Sequence, residues 1–500
     1  MPRKIPRLLW PVVPLAYLTY LYGLTSTGLM GADEPRYASI AREMARSGDW
    51  ITPRLWGSPW FEKPALLYWV EGLAFRLGLG PELAPRLPVA LCAIAFLIFF
   101  WWILRREFGC LTAWFATLIL ATTGGYLGYS QTGHMDLLLT ASFSAAMLLT
   151  LPWIAKGETR YLPSAAVLLA LAVLAKSGVA LVLMLPLFWW GRRRLPDLLR
   201  ARVILPFLAV ALPWYAACYW RNGMPFVREL FLKQQFQRLT TGAAQHVQPA
   251  WYYPPVLLAL LLPWTPLLVL LARRSFYHDP RRAFLLALVL WGVVFFSLSP
   301  NKLPGYLLPL LPAIAVLIAL ALFEAPNPRP LLACCAALLV AFPIAAYVLP
   351  YAVESGITHT PWPPFQPVWL LPLAVAALAW SLDSRGRRLA AVFAVAAGAS
   401  AGMVYLKHQA APLLDQRASA RSLWQRIAPH AADVCVAGLA RGFEYSLNYY
   451  SVTPLPYCDS QPRRLQVRQN PGGAAFLWDS SPPRMVDPLA SGIVPSHIRD

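Results

Sequence analysis

Gly31-Ala-Asp-Glu-Pro-Arg-Tyr-Ala-Ser-Ile-Ala-Arg-Glu-Met44 is continued by Ser47-Gly-Asp-Trp-Ile-Thr-Pro-Arg54 and closed by Trp60-Phe-Glu-Lys-Pro64. Acids, bases and aromatics crowd this segment, which follows directly on an apolar run at about 8–30. The chain is 58% hydrophobic and only 13% charged, and apolar blocks of bilayer-spanning length recur from end to end, which excludes an ordinary soluble globular protein. A formal net charge of +20 would suggest nucleic acid in a soluble chain. Here the arginines sit in short connectors between apolar runs, which is the positive-inside pattern of a membrane protein and gives no reason to expect a nucleic-acid partner.

Spans of membrane length predict helices near 8–30, 83–104, 110–127, 137–154, 161–175, 177–191, 201–220, 252–272, 283–299, 306–324, 331–350, 367–382 and 389–406, about thirteen in all. The basic start (Arg3, Lys4, Arg7) resembles that of a signal peptide, but no small-residue cleavage site follows, so the first span reads as a retained helix. Arg105-Arg106, Lys156 with Arg160, Arg192-Arg193-Arg194, Arg273-Arg274 with Arg281-Arg282, Arg329, and Arg385 with Arg387-Arg388 occupy alternate connectors. With the N-terminus inside, all of them are cytoplasmic. The remaining connectors, 31–82, 128–136, 221–251, 299–305, 351–366 and the tail, then lie outside, and they hold the polar motifs.

In the first outer loop, Pro35 to Met44 predicts a short helix with Asp33 or Glu34 near its N-cap. Residues 65–79 predict a second helix lying along the interface. After Lys407 charges return, and Ala432-Asp-Val-Cys-Val-Ala-Gly438 reads as a buried strand preceded by a helix from Gln416 to Ile427. The division is a membrane-embedded part at 1–406 and a small extracytoplasmic α/β domain at 407–500, its last thirty or so residues rich in Pro, Gly and Ser and only partly ordered. Cys92, Cys110, Cys218, Cys334 and Cys335 fall in or beside apolar runs and act as small hydrophobes. Cys435 and Cys458 lie in polar sequence: in an oxidising compartment they form a disulfide, and otherwise they stay two thiols.

Asp33 stands just beyond the first helix, where a carboxylate has both water and access to membrane-borne molecules, as a general base requires; the bland alternative is a helix cap. Arg36, Lys63, Arg238 and Lys302 place cations at outer helix ends and suit a phosphate head group, against the alternative of snorkelling to the interface. Asp136 opens a span at the outer face, and Lys176 interrupts an apolar hairpin; ionisable residues at such depth are functional candidates. Glu62, His134 and His246 offer oxygen and nitrogen donors for a divalent metal such as Zn, Mg or Mn, although no zinc-protease, paired-cysteine or EF-loop spacing accompanies them. No Walker loop or dinucleotide fingerprint occurs, so an activated substrate would arrive attached to lipid.

Asp33-Glu-Pro-Arg-Tyr37, Ser47-Gly-Asp-Trp50, Thr52-Pro-Arg54, Phe61-Glu-Lys-Pro64, Gln235-Phe-Gln-Arg238, Pro249-Ala-Trp-Tyr-Tyr253 and Lys302-Leu-Pro-Gly-Tyr306 together resemble the bacterial aminoarabinose lipid A transferases and the protein O-mannosyltransferases, both GT-C glycosyltransferases. The resemblance is densest over 31–64. It implies a GT-C membrane fold in a bacterial inner membrane, a polyprenyl-phosphate sugar donor, a lipid A-like or protein acceptor at the outer leaflet, and inversion at the anomeric carbon. It implies further that Asp33 is the base and Asp136 a second acidic position. By the same resemblance Lys63 and Arg238 would hold the donor phosphate, Lys302 and Tyr306 would lie beside the lipid phosphate, and Glu62 beside a metal. The residues themselves add Arg36, Tyr37 and Lys176 as further candidates for the phosphate and His246 for the metal. The chain departs from the pattern at Gln234-Gln235, where relatives carry a histidine. A transporter or flippase of polyprenyl-linked glycan would need ionisable residues on both faces or inverted repeats, and the sequence shows neither. An O-antigen-ligase-like enzyme would enlarge a central outer loop; here the first loop and the tail are enlarged.

Overall fold

The computed structural model describes residues 12–237, 247–356, 360–469 and 475–479. Eight helices among them are long and apolar enough to cross a bilayer: Leu83–Phe108, Met135–Lys156, Ala201–Asn222, Pro280–Leu298, Pro304–Glu324, Arg329–Val353, Pro367–Ser384 and Arg388–Arg417. Four shorter apolar helices, Val12–Leu21, Cys110–Ala121, Leu162–Lys176 and Val179–Trp190, and one bent pair complete the set. Every run expected to span is therefore helical over part of its length, but the lengths support eight spans, or nine if the bent pair counts as one.

Two differences from expectation have local causes. The first helix stops at Leu21, well short of residue 30, because Gly23 takes a positive φ of 69° and the Ser/Thr-rich segment behind it turns on its own hydroxyls, as in Ser26 Oγ to the Gly23 carbonyl at 2.7 Å. The expected span 252–272 is two helices, Ala250–Leu260 and Thr265–Ala272, bent by 111°. Its break, Leu261-Leu262-Pro263-Trp264, interlocks with the break at Thr122–Gly124: Trp264 Nε1 donates to Thr122 Oγ1 at 2.9 Å and the Gly124 amide to the Leu262 carbonyl at 2.7 Å. Each interruption satisfies backbone groups that the other exposes, which lets non-helical chain persist inside an apolar bundle.

Met135–Lys156 and Pro304–Glu324 are 94% and 89% buried and form the centre of the bundle, whereas Ala201–Asn222 and Pro367–Ser384 are 17% buried and present leucines outward, as lipid-facing helices do. The basic connectors meet at one end. Arg281 donates to the Glu107 carbonyl at 2.9 Å, Arg282 pairs with Glu324 at 2.6 Å, Arg388 donates to the Leu322 carbonyl at 2.8 Å, and Arg106 lies over the Tyr161 ring. Leu83–Phe108 runs from the first loop to this end, and its 26 residues rise about 39 Å. The first loop and the basic ends are thus on opposite sides of the bundle.

The first loop folds into the helices Asp33–Ser47 and Leu66–Arg76, joined through a small hairpin of β1 (Arg54–Leu55) and β2 (Ser58–Pro59). The composition change at 407 falls inside the helix Arg388–Arg417, so the following helix begins at Arg421 rather than Gln416. Beyond it, β3 (Val434–Ala437) pairs parallel with β4 (Leu465–Gln469), which pairs antiparallel with β5 (Ala475–Asp479). The helices Arg421–Ile427 and Arg441–Ser451 cover this sheet through Leu423, Ile427, Val434, Val436, Leu447 and Val467. Cys435 and Cys458 form a disulfide.

Candidate active site

The helix Asp33–Ser47 is built from good helix formers, carries Asp33 and Glu34 at its positive end, and stops at Gly48, whose φ of 72° returns its amide to the Met44 carbonyl. Its N-cap is Ala32, with no side-chain cap, so Asp33 is not used as a cap. The Asp33 side chain is 40% exposed and accepts a hydrogen bond from Arg36 Nη2 at 2.6 Å. The same nitrogen lies 3.1 Å from Glu62 Oε2. Arg36 is buried, with the rings of Tyr37, Trp60 and Tyr445 within 5.3, 5.8 and 5.5 Å of its guanidinium carbon. Burial opposes its charge, but Tyr37, Glu62 and Asp33 outweigh that cost and raise its pKa, so the cation is fixed. One guanidinium thereby sets the positions of two carboxylates from different elements.

Beneath this layer lies an ion pair that the sequence reading did not single out. Glu34 meets Arg86 twice, at 2.7 and 2.9 Å, and Arg86 also donates to the carbonyls of Leu24, Thr27 and Gly28 at 2.8, 2.7 and 2.9 Å. Glu34 Oε1 accepts the Gly133 amide at 3.0 Å. The pair thus ties the first loop, the outer end of Leu83–Phe108 and the strip before Asp136 together. Burial raises and Arg86 lowers the pKa of Glu34, with the net effect downward, so it stays ionised. Glu71 behaves oppositely: both its oxygens are buried without a hydrogen-bond partner, and burial followed by the charge of Glu34 pushes its pKa well above the usual range. Arg86 and Glu71 are lone charges inside apolar runs, and that was the signal available for finding them.

Beside Glu62 opens a cavity of about 180 Å³ lined by Lys63, Lys176, Tyr306, Asn301 and Gln234, with Leu139, Val182 and Phe295 on its apolar side. Lys176 ends its helix, Ser177 turning the chain with a φ of 57°, and there it forms an ion pair with Asp136 and sits 4.6 Å from the Tyr306 ring centre. Lys63 lies 3.6 Å from Glu62. Two ammonium groups, a phenol and amides beside an apolar wall form a chamber suited to an anionic head group on a greasy chain.

Of the residues expected at this site, Glu62, Lys63, Lys176 and Tyr306 line the cavity together, and Asp136 reaches it through Lys176. Three do not sit as expected. Arg36 is already committed to two carboxylates instead of facing the chamber. Tyr37 is buried against Tyr68 and His134. Lys302 is 4% exposed and donates to the carbonyls of Gln248 and Ser299 at 2.9 and 2.5 Å, so it pins the loop that carries Asn301 and Tyr306. Arg238 and His246 lie outside the described residues.

For a metal, the described residues contain no cluster of three His, Cys, Asp or Glu able to hold one. Glu62 is engaged by Arg36 and Lys63, and His134 packs edge-on against Tyr37 and Tyr129. Glu62 is thus occupied by cations, His134 keeps a buried Nδ1 without a hydrogen-bond partner, and the third expected donor, His246, lies outside the described residues.

The fold and this chamber define the class: a polytopic α-helical membrane protein that shares the fold of a solved ArnT. Residues 62–220 match the family model described as dolichyl-phosphate-mannose-protein mannosyltransferase. More particularly, the chain is similar to the undecaprenyl phosphate-alpha-4-amino-4-deoxy-L-arabinose arabinosyl transferase of Pseudomonas aeruginosa strain UCBPP-PA14, 33% identical over 333 residues that cover 63% of this chain and 60% of the relative. The enzyme of the same name from Serratia proteamaculans is 32% identical over 60% of this chain and 57% of its own. The matched region thus spans less than two thirds of these relatives. The structure superposes on ArnT from Cupriavidus metallidurans bound to undecaprenyl phosphate with a TM-score of 0.74, covering 93% of both chains at 24% identity.

Proposed function

We propose that the chain is an inverting glycosyltransferase that moves 4-amino-4-deoxy-arabinose from a polyprenyl phosphate to a lipid A-like acceptor at the outer face of a bacterial inner membrane. The observation that carries the reading is the chamber holding Lys63, Lys176 and Tyr306 against an apolar wall, next to the Arg36-held carboxylates. The names of the similar arabinosyl transferases support the choice of donor. The collection of arginine-rich connectors at the far end supports a cytoplasmic side there and a periplasmic side for the chamber and the C-terminal unit.

A polyprenyl phosphate leaves as an anion, and Lys63 and Lys176 hold that charge as it develops, so no general acid is needed. Asp33, the most exposed carboxylate of the layer, orients the acceptor and takes its proton where the acceptor is a hydroxyl. Direct displacement by that oxygen forms the new glycosidic bond as the sugar–phosphate bond breaks, with inversion. Arg238 is assigned to the phosphate as a third cation. A protein acceptor is the second reading, favoured by the match of residues 62–220 to protein mannosyltransferases. Incubating the purified chain with undecaprenyl-phosphate aminoarabinose and lipid A, and weighing the products by mass spectrometry, tests the proposal. A gain of one aminoarabinose mass on lipid A is expected; transfer to no lipid refutes it.

A further inference from the structure

The Arg36 guanidinium is walled partly by a residue from the far end of the chain. Tyr445 lies on the helix Arg441–Ser451 of the C-terminal unit, its ring 5.5 Å from the Arg36 guanidinium carbon and stacked on Trp56 at 5.6 Å and 22°. Trp56 supports that ring from the β1–β2 hairpin with a φ of 53°, a backbone conformation disfavoured for a large side chain. The approach of the two units is built in. A Cβ on Gly442 would meet the Gly31 backbone at 3.2 Å, two residues before Asp33. Arg42 Nη2 donates to the Tyr449 carbonyl at 2.7 Å, and Ser446 Oγ to the Leu29 carbonyl at 2.7 Å. Arg36 Nε is buried and has no hydrogen-bond partner, while the rings of Trp60 and Tyr445 lie 5.8 and 5.5 Å from the guanidinium carbon.

From this arrangement, and resting on the function proposed above, we infer that Tyr445 is a positioning residue: its ring holds the Arg36 guanidinium in place, and through it the Asp33 and Glu62 carboxylates. The C-terminal unit is then part of the reacting centre and not an appendage. A cation over an aromatic face is attracted to the ring, which holds it in place, and is screened from water, which strengthens its ion pairs with Asp33 and Glu62. Without the ring, water reaches the guanidinium and Asp33 loses its fixed orientation, while Glu62 keeps Lys63 at 3.6 Å, so the chamber of Lys63 and Lys176 is disturbed less.

The test uses the full-length protein in detergent with undecaprenyl-phosphate aminoarabinose as donor. Tyr445→Leu is expected to lower kcat about tenfold, the size of one well-placed cation–π contact, with the donor KM within about twofold of the parent. Tyr445→Phe, which keeps the ring, is expected to retain kcat. Thermal unfolding of both variants, within a few degrees of the parent, separates positioning from loss of fold. An active Tyr445→Leu enzyme with unchanged kcat overturns this inference and leaves the function standing, as does a Phe variant as impaired as Leu. A parent chain inactive with that donor overturns the function itself and this role with it.

Discussion

Replacing Asp33 by Asn removes one charge and almost nothing else. The side chain keeps its shape and an oxygen that can accept from Arg36, and Arg36 retains Glu62 at 3.1 Å. Because Asp33 is 40% exposed, losing its half of the ion pair should cost about 1 kcal/mol of stability or less. A positioned general base contributes roughly 10²–10⁴ in rate, about 3–5 kcal/mol of barrier. Activity should therefore fall far more than stability. Expected are at least a hundredfold drop in kcat for sugar transfer, an unchanged donor KM and a melting temperature within a few degrees of the parent. The assay is product formation by mass spectrometry with saturating lipid-linked donor, beside a thermal melt of the same preparation. Transfer within tenfold of the parent would refute the assignment of Asp33, and parallel losses of activity and fold would reassign it to structure.

Lys63→Ala should raise the donor KM about tenfold or more, the worth of a charge-assisted hydrogen bond to phosphate, with a smaller change in kcat; unchanged kinetics would reduce Lys63 to an interfacial anchor. Glu71 has a folded pKa above its unfolded one, so its contribution is whole at pH values below the ordinary carboxyl range and declines as pH rises toward the raised value. Glu71→Gln cannot ionise and should flatten that decline, giving a higher melting temperature than the parent at pH 8 and little difference at pH 4; equal pH slopes would contradict a proton on Glu71. Arg86→Met strands Glu34 in the interior and should cost about 3–5 kcal/mol, seen as lost folded protein, whereas adding Glu34→Gln should restore part of it.

Much of the fold is written in one dimension. Apolar length marks the spans, because a bilayer demands helices that satisfy their own backbone, and arginine bias marks one end of the bundle. The helix at Asp33–Ser47 and the strand at Val434–Ala437 follow from local chemistry that neighbours did not override. Hydropathy summed over a long apolar run does not register a single Gly23 or Pro263, and at Pro263 only the mutual locking of the Thr122–Gly124 and Leu262–Trp264 breaks makes interrupted helix stable.

The candidate site divides the same way. Residue type and position along the chain brought forward Asp33, Glu62, Lys63, Asp136 and Lys176, since an ionisable group at the edge of an apolar run is expensive and therefore informative, and the family resemblance added Tyr306. What each cation faces was decided in three dimensions. Arg36, Lys63 and Lys302 look alike in sequence, yet one clamps two carboxylates, one lines the chamber and one holds loop carbonyls. The pairing of Asp136 with Lys176, the buried Glu34–Arg86 tie and the arrival of Tyr445 over Arg36 join residues 40, 52 and 409 positions apart. No periodicity records such contacts, because burial of charge is settled by which partners the folded chain brings within reach.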